Sequence, residues 1–219
     1  MLFRSIIQRC ERRQHFCHTR PVTQRRYHHG ALEEALTAAA LDVVRSSGIG
    51  AVALRDLART AGVSPSAAYR HFPSREHLVA RVSQLCRQAL AQAMIDALET
   101  SPPRGAAKRR SVERLTVIGR AYVRFAVENP SVFEAAFVRC EVRPEDPDEP
   151  AAWSQLVGAI DEMAAAGLVP RGRRAEAPLI AWSGVHVLAQ ILTASTWPEG
   201  VDVEPHIDAV VAAIARSLS

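Results

Sequence analysis

No run of about eighteen consecutive apolar residues occurs anywhere in the 219-residue chain, so no membrane-spanning helix is expected. A secretory signal is missing as well: Met1 to Arg26 holds seven Arg and one Glu and has no long apolar core. Cytoplasmic residence follows as the default expectation. Cysteine is scarce, with Cys10, Cys17, Cys86 and Cys140 giving no disulfide framework for a chain of this kind. Cys10, His15, Cys17 and His18 lie close together, but their spacing matches no common zinc pattern, so neither a metal nor a cofactor is expected. Alternating apolar and polar runs are absent too, which argues against a sheet.

What is present is a helical chain rich enough in apolar residues, 48%, to build a folded core, which excludes an extended disordered protein. Its charge is divided. Residues 1 to 75 carry twelve Arg and five acids, a balance of +7, whereas residues 76 to 219 carry fifteen bases and eighteen acids, a balance of −3. Because polyanions respond to local rather than total charge, the N-terminal third is the part suited to nucleic acid.

The segment LRDLARTAGVSPSAAYRHFPSREH, residues 54 to 77, lies in that cationic third. Leu54, Leu57, Ala58 and Ala61 recur at helical spacing and give a short amphipathic helix. Gly62 can end it with a positive φ, and Val63 can plug the corner that follows. Ser64 is an N-cap acceptor and Pro65 suits a first helical position, so a second helix begins at once. In that helix Ala68 and Phe72 can face the first one, leaving Ser66, Ala67, Tyr69, Arg70 and His71 turned elsewhere. Two short helices joined this way form a helix-turn-helix, although the same pairing also serves as a plain packing corner in all-α proteins.

The stretch from Gly62 to Leu78 resembles the signature of the TetR family of bacterial transcriptional regulators, and the likeness runs from about Tyr27 to about Leu90. That resemblance implies an all-α fold: an N-terminal three-helix DNA-binding domain, joined by a long helix to an all-helical ligand-binding and dimerisation domain. It places Ser66 and Ala67 where the recognition helix meets base edges, Tyr69 and His71 where phosphates are contacted, and Arg75 where a Lys is common at the start of the fourth helix. Arg70 occupies a variable position that reaches base or backbone. Arg55 opens the first helix of the motif and is placed either against a phosphate or in solvent. A cation in the first turn of a helix opposes the dipole, so a phosphate would be a better reason for Arg75 than helix stability. Tyr27, His28 and His29 are weaker candidates.

The domain boundaries expected from this reading are a basic arm at 1–26, a DNA-binding domain at 27–88 with its helix-turn-helix at about 53–72, and a C-terminal domain at 89–219. The arm reads as a DNA-grasping tail, a solvated leader, a transit-like leader or an extension from an early start codon. Upstream of the motif, Leu32, Leu36, Ala39 and Val43 form the stripe of a first helix. Downstream, Ser74 caps a long helix through Leu78, Val82, Leu85 and Ala89. Helical patterns follow at 108–128, from Asn129-Pro130, at 151–167, at 175–195 and at 205–218, with a Pro- and Asp-rich loop at 143–150.

Tyr122, Phe125, Phe133, Phe137, Trp153, Trp182 and His186 are candidates to line a ligand pocket, or equally to fill a bundle core. The run AWSGVHVLAQ, residues 181 to 190, resembles the Trp-His-Gly segment of one TetR C-terminal subgroup, with Val187 in place of the Gly. His186 itself reads as a core histidine, a pocket residue or, least of all, a metal ligand. Ile207, Val211, Ile214 and Leu218 are candidates for a dimer interface, or for closing the monomer core. The expected partners are a double-stranded DNA operator, an unidentified small-molecule effector and a second copy of the chain. Two other functions are weighed: a nonspecific architectural DNA-binding protein, and a helical enzyme using Ser183 and His186, for which no nucleophile elbow surrounds Ser183.

Overall fold

The computed structural model describes the backbone of residues 24–142, 152–194, 197–198 and 200–218, and side chains from residue 31 onward. Among these residues nine α-helices occur and no strand. They are α1 (Gln24–Ser47), α2 (Leu54–Thr60), α3 (Pro65–His71), α4 (Arg75–Thr100), α5 (Ala107–Glu128), α6 (Pro130–Ala136), α7 (Ala152–Ala165), α8 (Ala177–Thr193) and α9 (Glu204–Ser217). Single 3-10 turns lie at Ile49–Ala51 and Arg171–Arg173. No described helix is long and apolar enough to cross a membrane. Residues 1–23 of the basic arm and the loop at 143–150 lie outside the described residues, while residues 24–26 belong to α1.

The chain divides into two compact units. The first holds the described residues up to Ala89 together with 134–142, and the second holds the rest. The long helix α4 therefore contributes to both, and the C-terminal end of α6 belongs with the helix-turn-helix unit rather than with the C-terminal one.

In the first unit, Leu36, Ala40, Leu41 and Val44 of α1 pack with Leu54, Leu57 and Ala58 of α2 and Ala68 of α3, and Leu78 and Val82 of α4 are buried as well. The buried stripe of α1 is not the one expected from spacing. Leu36 is common to both, but Ala40 and Val44 are buried where Ala39 and Val43 are only partly so. A helix carrying alanine at 38, 39 and 40 has too little contrast between its faces to fix the phase. Ala61, expected on the apolar face of α2, is exposed because the helix ends before it.

The middle of α4 carries polar groups inside the same unit. Ser83 and Gln84 are buried, and Ser83 Oγ donates to the carbonyl of Ala136 at 3.2 Å. Arg87 Nη1 donates to the same carbonyl at 3.1 Å and to Ser83 Oγ at 2.7 Å. A carbonyl at the last turn of α6 is thus satisfied by two donors one helical turn apart on α4.

The second unit is a helical bundle around α5, whose Leu115, Ile118, Tyr122 and Phe125 are all buried. Helices α8 and α9 pack against α5 at Gly119, where an added Cβ would lie 3.2 Å from Val211 Cγ1 and 3.7 Å from Val185 Cγ1. Ion pairs fasten the rim: Arg120 with Asp208 at 2.6 Å, Arg124 with Glu204, and Arg174 with Asp161 at 2.8 Å. All three pairs have partly exposed side chains, so they set register more than they add stability.

This packing accounts for three of the four residues expected either at a dimer interface or in the monomer core. Ile207, Val211 and Leu218 are buried inside their own protomer, where they close the bundle against neighbouring helices. Ile214 is half-buried and lies over Gly184 of α8, its Cδ1 within 2.5 Å of where a Cβ would stand. An apolar stripe shows that a helix face is covered; it does not show whether the cover comes from the same chain.

Candidate nucleic-acid interface

The turn between α2 and α3 is built as its sequence requires. Gly62 takes φ +67°, and the Val63 N–H returns to the carbonyl of Ala58 at 3.0 Å while the Gly62 N–H bonds that of Arg59 at 3.1 Å. A side chain at Gly62 would be strained in this left-handed region. Ser64 then caps α3, its Oγ accepting from the Ala67 N–H at 3.2 Å, with Pro65 at the first helical position. Ala68 and Phe72 are buried, which fixes the rotation of α3 about its own axis.

That rotation decides what is presented. Ser66, Tyr69 and Arg70 are exposed, and Ala67 and His71 are partly so. The Ser66 hydroxyl lies 3.0 Å from that of Ser64, so the two share a hydrogen bond at the front of the helix. Arg55 is exposed on α2, beside an Asp56–Arg59 ion pair of 3.0 Å. Small residues at the N-terminal end and Tyr69, Arg70 and His71 behind them make a surface that can approach a groove floor and donate to phosphates.

Arg75 stands apart from this set. Its Nε donates to the Val52 carbonyl at 2.8 Å, and its Nη2 to those of Ile49 and Gly50 at 3.1 and 3.3 Å. Sequence reasoning passed over these contacts, as it passed over Ser83 and Arg87, because the partners lie 23 to 53 residues away.

In the second unit, five of the seven proposed pocket residues come together. The Tyr122 hydroxyl lies 2.8 Å from His186 Nδ1 and accepts from Trp182 Nε1 at 3.3 Å. The Trp182 ring stacks on His186 at 4.9 Å, Phe133 lies 5.5 Å from His186, and Trp153 meets Trp182 edge-on at 6.2 Å. Phe125 is buried in the bundle, and Phe137 is exposed on a segment that belongs to the first unit. Burial pushes the Tyr122 phenol above its ordinary range and holds His186 below the usual imidazole value, favouring the neutral form of each.

No group of three or more metal-binding side chains occurs among the described residues. Cys86 is buried in the first unit, where desolvation pushes its thiol up to about 12, so it stays protonated. Ser183 donates its hydroxyl to the Leu179 carbonyl at 2.8 Å, an ordinary helix back-bond rather than a poised nucleophile.

These features define an all-helical protein with a helix-turn-helix head and a separate helical bundle. Residues 36–82 match the family model of bacterial regulatory proteins of the tetR family, and residues 115–215 match that of the tetracyclin repressor-like C-terminal domain. The chain belongs to the TetR family of transcriptional regulators, a family of DNA-binding regulators and not of enzymes.

Solved structures share the fold over most of the chain. A Rhodococcus sp. RHA1 protein of unknown function is 26% identical, covers 88% of this chain and 97% of its own, and superposes with a TM-score of 0.69. RolR in complex with the ligand resorcinol is 14% identical, covering 88% of this chain and 90% of its own at a TM-score of 0.62. PfmR, a TetR family transcriptional regulator from Thermus thermophilus, is 22% identical, covering 84% and 98% at 0.54. The last two share the fold at identities too low to carry more. No curated protein matches the chain.

Proposed function

We propose that this protein is a ligand-responsive repressor that binds a palindromic operator as a homodimer. The observation that carries the reading is the coincidence of an exposed, capped recognition helix with the cationic third of the chain. Arg55, Ser66, Ala67, Tyr69, Arg70 and His71 form the DNA-facing surface, with Ser66 and Ala67 at the base edges and the others on phosphate or flanking bases. The arm at 1–26 adds phosphate contacts. Residues 27–88 thus serve DNA, and residues 89–219 serve the effector and the partner subunit.

The dimer face is the outer side of α8. Leu179, Val187 and Ile191 are 56%, 51% and 49% exposed and, with Ser183, repeat every four residues along one stripe. Exposed Ala209 and Ala213 on α9 let a second copy come close. Three large aliphatic side chains in a row on one face are what an isologous four-helix contact would cover. Two copies are needed because the recognition helices must reach half-sites about 34 to 36 Å apart.

The effector is a small, largely apolar molecule held near Tyr122, Trp182 and His186, which supply a few polar atoms in aromatic surroundings. The resorcinol complex of RolR supports a small aromatic compound as the kind of ligand this fold accommodates. Regulation then requires only that the effector prefer the state that cannot bind DNA. Purified protein should favour the DNA upstream of its own gene over random DNA at moderate salt. Equal affinity for both would replace this reading with that of a nonspecific architectural protein.

A further inference from the structure

Arg75 is the first residue of α4 and is exposed, the position at which a phosphate-binding cation is expected. Three of its five N–H donors are spent elsewhere. The Nε and Nη2 groups reach the carbonyls of Val52, Ile49 and Gly50, which are the 3-10 turn between α1 and α2 and the residue that ends it. The Ile49 carbonyl also accepts from the Val52 N–H at 3.3 Å, so the guanidinium adds a second donor there. Carbonyls at the end of a helical turn carry partial negative charge, and this removes the difficulty of a cation at the start of α4. The planar fork of Arg can serve several acceptors held in one place; a Lys ammonium cannot do so in the same way.

The placement of these two ends matters more than their strength. Ile49 and Val52 are buried, and Leu54 opens α2 two residues further on. Everything between Val52 and Arg75 is the helix-turn-helix, so the side chain closes a ring around the reading motif at its base. Tyr69 and Arg70 are presented at an angle set by α2, α3 and the beginning of α4 together.

We propose that Arg75 is a positioning residue, a clasp that holds the helix-turn-helix at its working angle, and not a phosphate contact. The proposal rests on the DNA-binding reading above, and its test separates the two. The full-length protein, Arg75→Ala and Arg75→Lys are titrated with DNA from upstream of the gene across a salt series, with Arg70→Ala as the comparison variant. Hydrogen exchange of residues 49–57 is followed in the free proteins.

A clasp predicts that both Arg75 variants lose about tenfold or more in affinity, with the salt slope unchanged and the amides of 49–57 exchanging faster before any DNA is added. A phosphate contact predicts instead a slope shallower by about 0.9 in the alanine variant and near-complete rescue by lysine. That result overturns the proposal, as does unchanged affinity, or lost affinity with unchanged exchange. Should the alanine variant fail to fold, the lysine variant carries the same comparison. If the unaltered protein shows no DNA preference, the functional reading fails, while the exchange data still decide whether the clasp exists.

Discussion

Replacing Tyr122 by Phe removes one oxygen from the centre of the second unit and leaves almost everything else in place. The ring stays buried and keeps its edge-on contact with Phe133 at 5.7 Å, so no cavity larger than a hydroxyl is made. What is lost is the oxygen that accepts from Trp182 Nε1 at 3.3 Å and bonds His186 Nδ1 at 2.8 Å. A net hydrogen bond contributes about 0.5 to 1.5 kcal/mol, and an orphaned buried partner costs about 1 to 3 kcal/mol. Trp182 and His186 are both partly exposed, so water recovers some of that cost, and the longer bond counts for less. The expected loss is about 2 kcal/mol. Urea unfolding followed by circular dichroism at one fixed protomer concentration measures it, since dimerisation would otherwise shift the midpoint. Combined with Trp182→Phe, the two losses should fall short of adding by about 0.5 kcal/mol or more. A loss under about 0.5 kcal/mol, or strict additivity of the two substitutions, would refute the view that Tyr122 organises this cluster.

Three further outcomes are expected. Ser64→Ala removes the cap of α3 and should cost about 1 kcal/mol in unfolding experiments, together with faster exchange at the Ala67 amide. His186 is held below its ordinary value of 6.5 by burial, so the unfolded chain binds the proton more readily and stability falls as pH drops below 6.5. His186→Gln should flatten the difference in urea midpoint between pH 7.5 and pH 5.5, and an unchanged pH profile would count against the buried neutral imidazole. Val187→Glu places a charge in the centre of the exposed α8 stripe and should give a monomer by sedimentation without unfolding the bundle, whereas Ile207→Glu should unfold it.

Helix positions were largely legible because proline, glycine and caps mark their ends. Pro65, Pro130, Pro178 and Pro205 each fall within the first two positions of a helix, and Gly62 and Gly167 follow helix ends in left-handed geometry. The exposed set on α3 was legible for a local reason as well: Ala68 on that short helix and Phe72 just past its end are the residues there that are buried.

Contacts between distant positions were not legible. Tyr122 and His186 are 64 residues apart, Arg75 and Val52 are 23 apart, and nothing in either neighbourhood names the other. Composition also misled where two explanations share one pattern. Ile207, Val211 and Leu218 read equally as a dimer seam or a monomer core, and only the approach of α9 to Gly119 assigns Val211 to the core. The converse holds on α8, where Leu179, Val187 and Ile191 are apolar and stand exposed.

Hydroxyl-radical footprinting of the full-length protein on the DNA upstream of its gene tests the central claim most directly. Two protected patches related by a two-fold axis, with centres about 10 to 10.5 base pairs or a multiple of that apart, are the expected result. Protection that spreads evenly along the DNA, and is the same on unrelated sequences, would contradict it.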